Sequence, residues 1–300
     1  MKRRQTLFAV KNVELEKIVG YKILSKIELC PNQYELQIEA PYITRNAQAG
    51  QFIIFRADEE GERVPLTIAD ADKEKGILTI VYMAVGYSTK KLAALEEGDE
   101  IFDLVGPLGK PTHIENYGTV ACVAGGYGAA PCYLIAKALK EAGNKVYMIM
   151  GARNKDLIFW EDKMKEACTE LFITTDDGSM GTKGFVTGVL ENIISKEELN
   201  YVIAVGPMPM MRAVAELTRG KGIKTEASMN PIMVDGTGMC GACRVTVGDE
   251  TKFACVDGPD FDAHLIDFDE VINRTRIYKD QEQKRDQNCN LLKQADSIKK

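Results

Sequence analysis

The sequence predicts an α/β plus β protein: an antiparallel β-barrel, then a doubly wound parallel sheet, then a small C-terminal loop unit. Three observations carry this. Residues 20–112 break into short strand-like runs separated by turn signals, the pattern of a small antiparallel barrel. After residue 117 the pattern changes to short, wholly apolar strands alternating with helical stretches, as in a parallel sheet buried on both faces. Near the C-terminus, Asp235-Gly236-Thr237-Gly238-Met239-Cys240-Gly241-Ala242-Cys243 is followed by Cys255, placing three cysteines among glycine turns.

The predicted division is an N-terminal extension (1–19), a barrel (20–115), an α/β domain (116–225), a cysteine-loop domain (226–271) and a polar tail (272–300). In the barrel, strands are expected at Tyr21–Leu29, Gln33–Ala40, Gln51–Arg56, Ile77–Val85 and Glu100–Val105, with one helix near Ser88–Leu95. Gly106-Pro107-Leu108-Gly109 closes this region. In the α/β domain the expected strands are Thr119–Ala124, Lys145–Met150, Leu171–Thr175 and Tyr201–Val205. Helices are expected at 129–142, 156–167, 184–194 and 209–219. The last stretch, Gln281–Lys300, reads as helix or partly disordered chain.

Composition bounds the function. Three hundred residues at 45% hydrophobic and 27% charged supply ample core for two or three domains. A net charge of −6 argues against nucleic acid as the main partner. No run approaches the roughly 20 apolar residues of a membrane span, and Leu7-Phe8-Ala9-Val10 is too short for a secretory leader. Eight cysteines without such a leader fit a reducing cytoplasm. Cys30, Cys122, Cys132, Cys168 and Cys289 are scattered and read as ordinary thiols.

The cysteine loop is the sharpest signal. A 2Fe-2S cluster needs four ligands, usually thiolates; here the thiols stop at three, and the residue placed to supply the fourth charge is Asp235, five positions before Cys240. A redox dithiol would sit between a strand and a helix rather than among glycines. A structural zinc site needs a fourth Cys or His, for which His264 is the one candidate, His113 lying far away. The iron–sulfur reading accounts best for the spacing.

Two glycine turns end apolar strands. Gly125-Gly126-Tyr127-Gly128 leads into a helix, where free N–H groups favour a phosphate. It is not a full Gly-x-Gly-x-x-Gly, and a turn packed for structural reasons is the competing reading. Val205-Gly206-Pro207-Met208-Pro209-Met210 ends the last predicted strand. Two such turns at one carboxyl edge favour a dinucleotide. In the barrel, Arg63-Val64-Pro65-Leu66-Thr67 offers a cation and a hydroxyl, and Gly86-Tyr87-Ser88-Thr89 opens a helix. Taken singly, Arg63 reads as a surface charge and Ser88 as a helix cap; together before a nucleotide fold they suggest a flavin site.

With these motifs, in this order from about Tyr21 to about Asp269 and together with Thr175-Asp176-Asp177-Gly178-Ser179, the chain resembles ferredoxin-NADP reductase-type flavoproteins of the branch containing the dihydroorotate dehydrogenase electron-transfer subunit. Within that branch it is most similar to the small (alpha) subunits of NADH-dependent ferredoxin:NADP oxidoreductases. These are the electron-bifurcating Nfn complexes, whose subunits are also called sulfide dehydrogenase subunits. The resemblance implies FAD on the barrel, with Arg63 toward the diphosphate and Leu66 and Thr67 along the isoalloxazine. Pro65, Tyr82, Val85, Gly86, Ser88 and Thr89 would complete that site, Thr67 tuning the flavin from near N5. NAD(H) would lie over Gly125, Gly126 and Gly128, lined by Asp176, Gly206, Pro207, Met208 and Met210. Arg153, after the second parallel strand, offers a cation for a 2′-phosphate, but the resemblance favours NAD. Asp235, Cys240, Cys243 and Cys255 would hold the cluster.

The implied partner is a larger subunit carrying a second FAD, 4Fe-4S clusters and an NADP(H) site, forming a heterodimer that meets ferredoxin through that subunit. Dihydroorotate dehydrogenase electron-transfer subunits carry Cys where Asp235 stands and usually Cys where Val205 stands, so both positions favour the bifurcating branch. The alternatives are the dihydroorotate dehydrogenase subunit itself and a non-enzymatic flavin- and metal-binding regulator.

Overall fold

A computed structural model describes residues 20–285 and 287. The expected extension (1–19), Cys289 and the tail beyond residue 287 lie outside the described residues. Residues 279–285 are helical, and most of the expected helix or partly disordered stretch 281–300 lies outside the described residues.

The first half contains β1 (Tyr21–Cys30), β2 (Gln33–Glu39), α1 (Pro41–Asn46), β3 (Phe52–Arg56), β4 (Val64–Asp72), β5 (Ile77–Met83), α2 (Tyr87–Ala93), β6 (Glu100–Ile101) and β7 (Asp103–Leu108). Their antiparallel sheet runs β6-β1-β2-β5-β4-β3-β7. Its two edge strands are consecutive in sequence, so the sheet curls almost into a closed barrel. Inside lie Ile23, Leu36, Ile38, Ile53, Phe55, Ile68, Leu78 and Ile80, all inaccessible to solvent. The sequence reading left out β4, because Pro65 and two aspartates mask its alternation. Pro65 is tolerated because β4 starts there, next to β3.

The second half contains β8 (Thr119–Gly125), α3 (Ala129–Glu141), β9 (Lys145–Ala152), α4 (Glu161–Ala167), β10 (Glu170–Thr175), β11 (Thr182–Lys183), α5 (Val186–Lys196), β12 (Tyr201–Val205), α6 (Met208–Arg219) and β13 (Lys224–Ser228). After it come the hairpin β14 (Arg244–Val247) and β15 (Glu250–Phe253), the edge strand β16 (Asp260–Asp262) and α7 (Phe268–Thr275). The sheet order is β11-β10-β9-β8-β12-β13-β16, parallel except for β16. Strand alternation sorts β8 between two cores: Val120, Cys122 and Ala124 face α3 and α4, while Ala121 and Val123 face α5 and α6. The sequence reading lacked β13, whose Glu226 interrupts the apolar pattern and accepts a 2.7 Å hydrogen bond from Tyr201.

The three units share their cores. Ala49, Ala69 and Val81 of the barrel pack with α3, and Phe52 and Ile54 join the opposite core, which also holds Cys243, Val245 and Cys255. Trp160 adds a 2.8 Å hydrogen bond from its indole to the buried Glu35 of β2. No described helix is long and apolar enough to cross a membrane.

Where the units meet, Asp260 accepts a 2.5 Å bond from Thr112 and another from Ser228. Its Oδ1 is cut off from solvent without a partner. Burial pushes this carboxyl up to about 6. The native state therefore holds a proton that the unfolded chain releases near pH 4, so the contribution is full below about pH 4 and lost as pH rises through about 6. Asp260→Asn is expected to remove this decline: relative to wild type its thermal stability rises between pH 4 and 7, by on the order of 2 kcal/mol. Parallel pH profiles in thermal unfolding would contradict the assignment.

Candidate functional site

The barrel's β4 and β5 and the carboxyl edge of the parallel sheet face each other across a cleft of about 280 Å³. Pro65, Leu66 and Thr67 of β4, Tyr82 and Val85 on and after β5, and Thr89 of α2 form one wall. Gly128 and Gly206 stand opposite. Tyr82 is buried, and its hydroxyl has no hydrogen-bond partner within the protein. An orphaned buried hydroxyl in an apolar cleft suits a planar ligand with polar edges, such as an isoalloxazine.

Three residues expected at this site stand elsewhere. Arg63 donates from Nε to the Val234 carbonyl at 2.8 Å and from a terminal nitrogen to the Asp235 carbonyl at 3.4 Å, and it pairs with Asp103 at 3.7 Å. Its guanidinium serves the cysteine loop rather than the cleft. Ser88 neither lines the cleft nor caps α2, because its hydroxyl donates to Glu62 at 2.9 Å. Gly86 is the residue at which α2 begins; its N–H donates to the Thr89 hydroxyl at 3.1 Å, and it does not line the cleft.

A second cleft of about 550 Å³ opens along the same sheet edge. Gly125, Gly126, Asp176, Pro207 and Met210 line it as expected, together with Arg153, Phe185 and Thr187. Thr174 also lines it with a buried hydroxyl that lacks a partner. Gly128 and Gly206, expected here, line the first cleft instead, and Met208 lines neither: it lies on the core side of α6, buried with Met211 and Val214.

The glycine turn divides into two roles. A Cβ on Gly128 would stand 2.4 Å from the Val205 carbonyl oxygen, so this glycine lets two backbones meet. Gly126, at φ +56°, has nothing within 4 Å of the Cβ position and faces the open cleft. The packing reading thus holds for Gly128, while Gly126 has the room a phosphate cradle needs. Tyr127, between them, lines both clefts, as does Met83. Tyr127 is not among the residues expected from the sequence, where only the flanking glycines carry a turn signal. Nor are Ser228, Met229, Asn230 and Met233, which wall the first cleft at the end of β13.

That same segment runs directly into the cysteine loop. Cys243 and Cys255 are buried with their sulfurs 3.2 Å apart, and the Cys255 N–H points at the Cys243 sulfur at 3.4 Å. Burial and the neighbouring thiol push Cys255 up to about 12. A buried thiol that resists ionisation unaided, beside a second sulfur that receives an amide hydrogen bond, fits a site where a metal supplies the positive charge. Cys240 is exposed on the same loop. Asp235 accepts from the Thr237 N–H at 3.0 Å, the Met239 N–H at 3.1 Å and the Thr237 hydroxyl at 2.8 Å, which hold its carboxyl below the usual range. Among the described residues, no three His, Cys, Asp or Glu side chains stand close enough together to enclose a metal as they are. His264 does not join the cysteines; its Nε2 lies 3.0 Å from the Thr218 hydroxyl on α6. The other described cysteines, Cys30, Cys122, Cys132 and Cys168, are buried free thiols.

Comparison with known proteins assigns the chain. Residues 230–267 match the iron-sulfur cluster binding domain of dihydroorotate dehydrogenase B, and residues 122–216 match the oxidoreductase NAD-binding domain. A Thermotoga maritima protein called a dihydroorotate dehydrogenase B (NAD(+)) electron transfer subunit homolog is 46% identical, over 87% of this chain and 92% of its own. The electron transfer subunit from Fusobacterium nucleatum is 32% identical, over 81% and 96%. A chain from the NADH-dependent reduced ferredoxin-NADP oxidoreductase, solved for insight into flavin-based electron bifurcation, superposes with a TM-score of 0.87 at 44% identity, covering 91% of this chain and 98% of that one. The ferredoxin reductase in carbazole 1,9a-dioxygenase shares the fold at 19% identity and a TM-score of 0.58. The chain is thus an oxidoreductase of ferredoxin-NADP reductase-like fold and belongs to the family of dihydroorotate dehydrogenase B electron-transfer subunits and their homologues.

Proposed function

We propose that this chain is the flavin and 2Fe-2S electron-transfer subunit of an NADH-dependent reduced ferredoxin:NADP oxidoreductase, exchanging hydride with NAD(H) and single electrons with a larger partner. The observation that carries this reading is the 44% identity over nearly the whole of the bifurcating complex's chain, against 31–34% for proteins called electron transfer subunits of dihydroorotate dehydrogenase B, the 46% identical Thermotoga maritima relative being called a homolog of those subunits. Asp235 in the cysteine loop points the same way. The partner in this reading is a larger FAD and 4Fe-4S subunit with the NADP(H) site, through which ferredoxin is reached, and the heterodimer works in the cytoplasm.

Bound FAD, NAD(H) and a 2Fe-2S cluster would supply the conversion of a two-electron hydride into single electrons. The chain's own residues do the rest. Leu66 and Tyr82 form the apolar wall that orients the flavin ring, and Thr67 offers the hydroxyl that steadies it. Gly126 leaves room for a phosphate, while Arg153 and Asp176 border the nucleotide cleft with opposite charges. Tyr127, common to both clefts, is placed to cover the flavin until nicotinamide enters. Residues 228–233 separate the flavin cleft from the cysteine loop by only a few bonds of chain, and Asp235, Cys240, Cys243 and Cys255 are the proposed ligands.

The dihydroorotate dehydrogenase reading is supported by the match over 230–267. Purification of the native complex under anaerobic conditions separates the two. A larger flavin and 4Fe-4S chain is expected to copurify, and a dihydroorotate-oxidising chain in its place would sink the bifurcating assignment. A regulator in place of an enzyme would leave its flavin unbleached by NADH.

Thr67→Ala should retain flavin but slow its bleaching by NADH about tenfold, the loss of one hydrogen bond at the reacting ring. Stopped-flow absorbance reads this directly, and an unchanged rate would remove Thr67 from the chemistry. Asp235→Ala is expected to lose or alter the 2Fe-2S EPR signal, with Asp235→Cys keeping a cluster of shifted potential. An unchanged spectrum in Asp235→Ala would place the fourth ligand elsewhere.

A further inference from the structure

We propose that Arg63 is a positioning residue of the iron–sulfur loop rather than a phosphate anchor, fixing the backbone that presents Asp235. The inference rests on the cluster reading above. Its basis is the direction of the side chain: two guanidinium nitrogens donate to consecutive carbonyls, Val234 at 2.8 Å and Asp235 at 3.4 Å. A third nitrogen faces the Asp103 carboxylate at 3.7 Å, and Asp103 also faces Arg56 at 3.7 Å. A planar fork is suited to this task, since it holds its donors at fixed angles in one plane where the three donors of an ammonium rotate freely. Arg63 does not border the flavin cleft, so one side chain would have to abandon all three partners to reach a diphosphate there.

The surroundings make the same point. Gly236, next along, sits at φ +83°, and a Cβ there would stand 2.6 Å from the Ile54 methyl and 2.8 Å from a Leu108 methyl. The loop is therefore pressed against the barrel on one side and tied to Arg63 on the other. With the Asp235 carbonyl held, its carboxylate is left facing the N–H groups of Thr237 and Met239 and the start of the cysteine run. Arg63 immediately precedes β4, and four residues after it on that strand comes Thr67, in the cleft wall. At 3.3 Å per residue, β4 is a rigid spacer of about 13 Å between the flavin wall and the cluster loop.

Arg63→Gln and Arg63→Lys in the full chain, purified anaerobically, test this by three readouts. In Arg63→Gln, amide hydrogen exchange over 236–240 is expected to quicken about tenfold or more, matching the loss of a charge-assisted hydrogen bond. The 2Fe-2S EPR line shape and midpoint potential should shift while flavin content stays at the wild-type level, and Arg63→Lys should restore part of each. Loss of flavin with an unchanged cluster signal and unchanged exchange would overturn the proposal in favour of a diphosphate anchor. Unchanged values in all three would overturn it outright. If Arg63→Gln does not fold, Asp103→Asn, which releases the guanidinium without touching the loop, must give the same shifts in smaller measure or the proposal fails. Wild-type protein without a 2Fe-2S signal would refute the cluster reading separately, leaving the exchange measurement to decide Arg63.

Discussion

Close backbone approach at a seam of small residues is the constraint on which the rest of the molecule depends. Ala69 of the barrel packs with Ala129 and Ala130 of α3, and Gly128 lets the turn before that helix meet the Val205 carbonyl. Larger side chains would force the barrel and the parallel sheet apart, and the cleft between them would lose its second wall. Because both units contribute to each core, their relative placement is set by the same apolar burial that folds them. Glu35 and Trp160 add a polar fastening far from the cleft.

From this seam the functional arrangement follows. The two clefts meet at Tyr127 and Met83, so a nucleotide on one and a flavin on the other would face each other without any domain movement. The chain leaving β13 then lines the first cleft and enters the cysteine loop with no intervening element. The cleft and the loop are therefore joined by a single stretch of backbone. No acid–base residue is required by this plan, and the clefts are walled chiefly by apolar groups and glycines.

Much of this was legible in the sequence. The change of period after residue 117, the two glycine turns and the cysteine spacing depend on local physics, and the barrel, the parallel sheet and the loop all appear where they point. What escaped depends on partners distant in the chain. β4 was hidden because its pairing with β3 and β5, not its own alternation, makes it a strand. β13 was hidden because Glu226 satisfies Tyr201, and Met208 was assigned to the cleft although the register of α6 turns it inward. Arg63 and Ser88 show the limit most clearly: a cation and a hydroxyl in a plausible motif were captured by Val234, Asp235 and Glu62, which sequence proximity does not reveal.

The central claim is that hydride enters at the paired clefts and leaves as single electrons through the cysteine loop. Anaerobic titration of the isolated chain with NADH, following flavin absorbance and 2Fe-2S EPR together, tests it most directly. The account predicts that the flavin bleaches, that the reduced-cluster signal grows with it, and that more than one equivalent of NADH is consumed per flavin. A flavin that bleaches while a dithionite-reducible cluster stays oxidised would contradict it.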